Sequence, residues 1–323
     1  MAAGPNTLGI SSAVGNTFSD TGIYYDKRWL ERLKNTLRFE DLGEKRPLPK
    51  NAGTLVKFRR TNKLTAVGTI PTASSYALTE NTTPTSIRMG TTEVTVEPKT
   101  YGEWAQVSSE LKWKSINPVM DEFADELADN AAAVHSSVIS TALSGNLTNQ
   151  FANGAANEAA VADADVLLAS EIRKAVYKLR KAGVPGFEAD MYKGLISHAG
   201  VFDLQGDTAA GSWIELQKYV KPENAMRGEI GSLYGVRIVA AHNVGTGTGA
   251  TDDTFHAYIL GRKAFGITEL SGQGMEMIRK EPGANDTSNP LNMFSTIGWK
   301  FVMAAKVLEA SRGVQIYHGS GAE

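Results

Sequence analysis

The spacing of apolar residues along the chain predicts a small set of helices and strands. Between residues 24 and 39, large apolar side chains recur every four positions, which predicts one face of a helix. Residues 43–53 contain two prolines and two glycines and are predicted to be irregular. Residues 54–60 and 91–109 are rich in Val, Thr and aromatic residues, so both stretches are predicted to form strands.

Residues 61–90, between these strands, show no periodicity and consist mostly of Thr, Ser, Ala, Pro, Gly and Asn, with Lys63, Glu80 and Arg88 as the only charges. Extended out and back, they would reach roughly 50 Å. The radius of gyration of a compact chain of this length is only about 20 Å. We therefore expect an arm that completes its contacts outside its own subunit, the alternative being a surface loop without a partner.

The strongest helix pattern covers residues 117–145. Asn117 can cap this helix, Pro118 suits its first position, and Gly145 ends it. Apolar residues at spacings of three and four predict a stripe about 40 Å long. The predicted stripe consists of Val119, Phe123, Leu127, Ala131, Val134, Val138 and Ala142. So long a helix, with small residues through its middle, is typical of a spine against which a sheet packs.

The sequence of the second half of the chain predicts a helix from an Asp165 cap to Gly183, followed by short strands and a short helix.

In "GEIGSLYGVRIVAAHNV", residues 228–244, the glycines precede the strand, whereas a dinucleotide site needs strand, glycines and helix in that order. These glycines therefore predict a turn into a half-buried strand. The glycine-rich stretch 244–253 lacks the lysine of a phosphate-binding loop and predicts a hairpin tip.

Composition narrows the classes of function. The chain has 33 Lys and Arg against 35 Asp and Glu, so net charge gives no general attraction to nucleic acid or anionic membrane. There is no cysteine, which excludes disulfides, thiolate metal sites and cysteine nucleophiles. The N-terminal residues lack the pattern of a signal peptide, and no apolar stretch approaches the roughly 20 residues that span a bilayer.

Candidate catalytic chemistry is sparse. The five histidines are scattered without metal-ligand spacing, so we predict no metal and no cofactor. Ser109 and Lys112 match the S-x-x-K pattern of acyl-transfer enzymes, but the companion motifs are missing. A serine hydrolase using Ser109 and Lys112 stays as an alternative.

A basic group stands where the predicted arm begins: Lys57, Arg59, Arg60 and Lys63. It could contact nucleic acid, pair with acidic groups of a neighbouring subunit, or keep an edge strand soluble. With Glu80 and Arg88, these residues are the candidate inter-subunit contacts. The scarcity of catalytic residues in a chain that devotes so much length to arms and loops favours a building block over an enzyme.

Several stretches in order resemble one known family, the major capsid proteins of tailed bacteriophages with the Hong Kong 97-type fold, and within it the branch named after coliphage N-four. The resemblance extends from about residue 24 to 317, and its specificity lies in the order and spacing of the stretches. They are "YYDKRWLERLKNTLRFEDLGEKRPLPKNAGTLVKFRR", "YGEWAQVSSELKWKSINPVMDEFADELADNAA", "GSLYGVRIVAAHN", "AYILGRKAFGI" and "IGWKFVMAAKVLEASRGVQI".

The resemblance implies an α+β fold with an axial domain, a peripheral domain with a long spine helix, an extended loop in the form of a β-hairpin arm, and an N-terminal arm. The implied boundaries are an N-terminal arm at 1–23, an N-terminal helix and connection at 24–53, an extended loop with flanking strands at 54–109, a peripheral domain at 110–164, an axial domain at 165–290, and C-terminal strands returning to the peripheral domain at 291–323.

The implied function is that of a non-enzymatic subunit that self-assembles, through pentamers and hexamers, into an icosahedral shell around double-stranded DNA without reading its sequence. The implied partners are further copies of the chain, together with scaffolding, portal and decoration proteins, and no membrane. The implied location is the virion capsid, assembled in the host bacterial cytoplasm. An encapsulin-like compartment that holds cargo protein is the alternative with the same fold. No residue set indicates a covalent crosslink, and the segment before Tyr24 is too short for a scaffolding domain.

Overall fold

The computed structural model describes most of the chain from residue 39 onward. The predicted N-terminal arm, residues 24–38 of the predicted first helix, the Asn117 and Pro118 cap, and Lys63 lie outside the described residues. The described ranges are 39–49, 53–62, 64, 72–84, 86–115, 119–187, 190–209, 211–212, 231–241, 244–250, 252–271, 274–281 and 291–322.

Four α-helices are described: α1 Ser109–Lys114, α2 Val119–Leu143, α3 Ala169–Lys181 and α4 His198–Gly206. The predicted long helix is confirmed as α2, whose 25 residues extend for about 37 Å. The predicted end of α3 at Gly183 is also confirmed, since this glycine has a φ of 63° and the next amide, of Val184, donates to Leu179 O.

The predicted Asp165 cap of α3 is wrong. The helix begins four residues later, and the Asp165 carboxylate instead accepts hydrogen bonds from the Ala162 amide and the Asn153 side chain. Asp207, which directly follows α4, accepts from the Ala169 amide at 3.2 Å. The first turn of α3 is therefore satisfied by a residue 38 positions away in sequence, which no local pattern can indicate.

The described residues form fourteen strands in three sheets. Their bounds are β1 Glu44–Lys45, β2 Val56–Thr61, β3 Thr91–Val96, β4 Lys99–Ser108, β5 Thr148–Phe151, β6 Tyr192–Ile196, β7 Ser232–Leu233, β8 Val236–Ala240, β9 Thr246–Thr248, β10 Asp253–Leu260, β11 Phe265–Glu269, β12 Glu276–Lys280, β13 Phe294–Val307 and β14 Gly313–His318.

The five-stranded sheet is built around the long strand β13. One edge of β13 pairs with β4 along ten residues, and the other edge pairs with β12 and then β11, which in turn pairs with β1. Alternate residues of β13 point toward α2 and are buried, among them Ile297, Trp299, Phe301 and Met303. These four residues alternate with a period of two, as expected of a strand with one face on the core.

The seven-stranded sheet has the order β5-β14-β10-β6-β8-β7, with β9 also pairing to β10. Strand β10 is buried on both faces, because Tyr258 and Leu260 join the core with α2 while Ala257 and Ile259 join the core with α3. A strand buried on both faces has a nearly continuous apolar sequence, as here. Strands β13 and β14 lie in different sheets, and the boundaries of the axial and peripheral domains stay predictions.

The predicted stripe of α2 is correct in its first half and wrong by one residue in its second half. Ile139 and Leu143 are fully buried, together with His135, whereas Val134 and Val138 only border the core. The buried positions continue at steps of four from Ala131, where the prediction took a step of three. Sequence favoured the valines because His135 and Ser136 look like surface residues, and both are buried.

Both predicted glycine turns are confirmed in the described residues. Tyr234 and Gly235 have φ values of 51° and 82° and connect β7 to β8, which is the geometry of a two-residue hairpin. The stretch 244–253 forms the hairpin between β9 and β10. No helix begins at either glycine stretch within the described residues, so neither has the geometry of a phosphate loop.

Candidate inter-subunit surface

The arm, defined as residues 61–90, begins at a two-stranded hairpin that is fixed to the rest of the subunit. Strands β2 and β3 pair from Val56 with Val96 to Thr61 with Thr91. Phe58 is buried and packs over Gly266 of β11, where a Cβ atom would lie 2.7 Å from the phenyl ring. The Arg46 guanidinium lies 5.0 Å from the centre of the same ring. The root of the arm therefore belongs to the folded body.

The basic residues near the root that the structure describes, Lys57, Arg59 and Arg60, make contacts within their own chain. Lys57 Nζ lies 3.2 Å from Glu93 Oε2, and Arg59 Nη2 donates to Thr91 Oγ1 at 3.4 Å. Arg60 Nη1 lies 2.7 Å from Glu309 Oε2 and links the root to the turn before β14. Contacts of these residues with a neighbouring subunit stay a prediction.

Glu309 is the centre of this link. Burial alone would raise the pKa of its carboxyl, but hydrogen bonds from Arg312 and from Arg60 hold that pKa below its ordinary value. Arg312 Nε donates to Glu309 at 2.7 Å. The carboxylate is thus charged at neutral pH and holds two guanidinium groups, one from the body and one from the arm root.

Beyond the hairpin, the arm exposes apolar side chains. Every side chain between residues 61 and 90 whose exposure the structure describes is exposed. Tyr76, in a short 3-10 helix Ala73–Tyr76, is 60% exposed, and Leu78 is 78% exposed. Leu64, Ile87 and Met89 are exposed as well. Such a concentration of large apolar side chains on a projecting segment is typical of an interaction surface.

The two charged arm residues within the described part of the chain are also exposed. Glu80 lies in a turn after the 3-10 helix, and Arg88 lies three residues before β3. Among the described residues, neither has an ion-pair partner. Their predicted role in contacts between subunits is untested by the geometry of one chain.

The structure does not arrange Ser109 and Lys112 as a nucleophile and its base. Ser109 is buried at the start of α1, and its hydroxyl donates to the Asn292 carbonyl at 3.0 Å. The Lys112 ammonium forms an ion pair with Glu281. A catalytic lysine must be deprotonated and within hydrogen-bond reach of the serine, and an ion pair with a carboxylate favours the protonated form.

The histidines do not form a metal centre in the described part of the chain. His135, His256 and His318 are buried, and His198 is exposed. His256 Nε2 lies 3.0 Å from Glu158 Oε1. A search of the described residues finds no group of three or more His, Cys, Asp or Glu residues that could hold a metal ion, and none of the described helices is long and apolar enough to cross a membrane.

Comparison with solved structures identifies the fold. The chain is similar to the capsid protein of Ralstonia phage GP4, with 16% identity, a TM-score of 0.68, and coverage of 96% of this chain and 98% of the other. It is similar to the capsid protein of cyanophage Pam1, with 14% identity, a TM-score of 0.68, and coverage of 98% and 100%. It is also similar to the capsid of cyanophage P-SCSP1u, with 15% identity, a TM-score of 0.66, and coverage of 93% of this chain and 94% of the other.

No protein-family model and no curated protein matches the sequence. The structural similarities cover nearly the whole of each chain, so they concern the complete fold. The chain has the fold of phage capsid proteins, and the expected α+β class of the Hong Kong 97 type is confirmed.

Proposed function

We propose that this protein is the major capsid protein of a tailed bacteriophage, a structural subunit that assembles with copies of itself into a closed icosahedral shell. The observation that carries the proposal is the arm. It is fixed to the body through Phe58 and Arg60, yet its described side chains, including large apolar ones, are left in solvent. The similarity of the whole chain to phage capsid structures supports the same proposal.

The geometry suggests how such a shell gains stability. Each copy lays its arm on a neighbour while receiving the arm of another copy, so contacts within a ring become effectively intramolecular once the ring has formed. Individually weak contacts then suffice for a stable shell. The near-neutral net charge of −2 suits subunits that pack side by side and enclose DNA without adhering to it strongly.

The remaining parts of the proposal follow from the role of a capsid. The shell encloses double-stranded DNA, acts with portal and scaffolding proteins, and is assembled in the host cytoplasm before it becomes part of the virion. The chain acts as a structural protein and not as an enzyme, consistent with the hydrogen bond of the Ser109 hydroxyl to the Asn292 carbonyl and the ion pair of Lys112 with Glu281.

Negative-stain electron microscopy of the purified protein, beside its size-exclusion profile, tests the proposal. We expect closed shells, or rings of five and six subunits. A protein that stays monomeric both alone and when co-expressed with the candidate scaffolding protein would overturn the proposal. The ratio of absorbance at 260 and 280 nm of native particles then separates a DNA-filled shell from an encapsulin-like compartment filled with protein.

A further inference from the structure

A small acidic cavity lies where α2, β11 and β13 meet the 3-10 helix Glu40–Leu42. Its volume is about 230 Å³, and it is separate from the arm root. We call it the acidic cavity. Its lining consists of Glu40, His135, Glu269, Gly274, Met275, Phe301, Val302 and Met303. Two carboxylates therefore stand in a mostly apolar wall.

The negative charge of the acidic cavity is only partly balanced by the chain itself. The Lys45 ammonium pairs with Glu40, and the pKa of Lys45 is raised first by that hydrogen bond, with a smaller contribution from Glu269. Glu269 is half-buried, and its carboxylate makes no hydrogen bond or ion pair with the described residues. Two carboxylates thus share one cation, and a half-buried carboxylate is stabilised when a second cation approaches it.

His135 lines the same cavity without adding a charge to it. Its side chain is 7% exposed, and its buried Nδ1 has no hydrogen-bond partner. Burial lowers the pKa of His135, so the imidazole is neutral at pH 7. A neutral imidazole does not repel a cation that enters the cavity.

The arm carries a side chain with the complementary properties. Arg88 is exposed and has no ion-pair partner among the described residues, so within one chain it does not contact the acidic cavity. It is flanked by Ile87 and Met89, which are 67% and 66% exposed. The segment thus presents one guanidinium between two apolar side chains. The cavity presents carboxylates beside Met275, which is 48% exposed.

We propose that Arg88 of one copy binds in the acidic cavity of a second copy, with its guanidinium against the Glu269 carboxylate and Ile87 and Met89 against the apolar wall. This inference rests on the proposed function and adds the receiving site of the arm. The planar guanidinium can donate two parallel hydrogen bonds to the Glu269 carboxylate. Desolvation of the cavity strengthens the pairing.

A charge-reversal cycle tests the pairing. Arg88→Glu and Glu269→Arg, each alone, are expected to abolish closed shells in negative stain, while the double variant restores them. Arg88→Lys keeps the charge but loses the paired donors of the guanidinium, so its shell yield should lie between those of the unaltered chain and Arg88→Glu. Circular dichroism of each variant reports whether the subunit still folds. Shells formed by Arg88→Glu as readily as by the unaltered chain would overturn the inference.

A crosslinking experiment measures the contact without charge reversal. The chain contains no cysteine, so Met89→Cys combined with Met275→Cys introduces the only two thiols of each copy and leaves Arg88 in place. Oxidised shells of the double variant are expected to give a ladder of linked chains on a non-reducing gel, and neither single variant gives a ladder. A disulfide needs Cα atoms within about 7 Å. If intact, oxidised shells give only unlinked chains on the gel, the proposed contact is overturned. If the unaltered protein forms no shells either alone or with the candidate scaffolding protein, the proposed function fails instead.

Discussion

The seven-stranded sheet buries polar side chains, whereas the arm exposes apolar ones. In the sheet, Gln150, Gln315, His256 and His318 are buried. Glu158 and the Glu171 backbone and carboxylate supply partners for some of their polar atoms. In the arm, Tyr76 and Leu78 are exposed. The sheet buries even polar side chains within one chain, whereas the arm has apolar surface that one chain leaves uncovered.

This difference indicates which interactions stabilise each region. Burial of apolar surface and satisfaction of polar groups stabilise the sheet in the isolated subunit. The arm can bury its apolar side chains only by packing against another molecule. Changes in the sheet should therefore alter the unfolding of the subunit, and changes in the arm should alter assembly.

The largest expected effect is the complete loss of assembly when the arm is shortened. Replacing residues 65–86 by a tight turn should leave a folded monomer with an unfolding midpoint close to that of the unaltered chain, because none of the described side chains in this range is buried. Electron microscopy and thermal unfolding measure the two properties.

A matched pair of substitutions controls for the arm's length. Tyr76→Ser with Leu78→Ser should also lose shells, because it removes exposed apolar surface, whereas Thr82→Ala with Thr83→Ala should keep them. Normal shells from the shortened chain would contradict the comparison.

The next effect concerns the core on α2. Ile139→Ala should reduce the free energy of unfolding by about 2–5 kcal/mol, because Ile139 is fully buried. Val138→Ala, one residue earlier at the border of the core, should cost about 1 kcal/mol or less. Urea unfolding of both variants measures the difference. Equal costs would show that the buried face of α2 has been assigned incorrectly.

The third effect is a loss of stability in acid that comes from the sheet. His318 is fully buried, and burial lowers its pKa from 6.5 to about 4. Between these pH values the unfolded chain binds a proton that the folded chain does not. The stability that this residue contributes is present above pH 6.5, falls as the pH drops toward 4, and amounts to about 3 kcal/mol.

Urea unfolding at several pH values between 7 and 4 measures this loss. His318→Gln should flatten the pH dependence, and the exposed His198→Gln should not. An unchanged slope in His318→Gln would assign the acid sensitivity to other groups, among them His135, whose pKa is also lowered by burial.

The smallest expected effect on folding lies at the arm root. Arg59→Glu with Arg60→Glu should lower the free energy of unfolding by about 1 kcal/mol, since both side chains are largely exposed. Shell yield should fall much more, because the root sets the direction of the arm. Reduced thermal stability with unchanged assembly would instead favour a role in keeping an edge strand soluble.

Local sequence patterns were sufficient where a periodicity or a glycine defines the element. The length of α2, the end of α3 at Gly183 and the Tyr234-Gly235 turn were all predictable, because each depends on neighbouring residues. The start of α3 was not predictable, since the first turn of this helix is satisfied by the distant Asp207. The burial of His135 was not either, because the sheet that covers it comes from distant residues.

The candidate site shows the same division. The arm and its charged residues could be recognised in sequence from length and composition. The pairing of Arg60 with Glu309 could not, because the two residues are 249 positions apart (309 − 60) and meet only when the arm root packs beside β11 and β13. The acidic cavity was also missed, since its lining comes from four separate segments and contains no motif.

The sequence by itself determined the secondary structure of the long helix, the turns, the presence of an arm and the resemblance to capsid proteins, because these depend on spacing and order along the chain. Tertiary structure alone decided which face of α2 is buried, that β13 and β14 lie in different sheets, and which charges remain unpaired. Burial and ion pairing are properties of distances between remote segments, and only the folded chain fixes those distances.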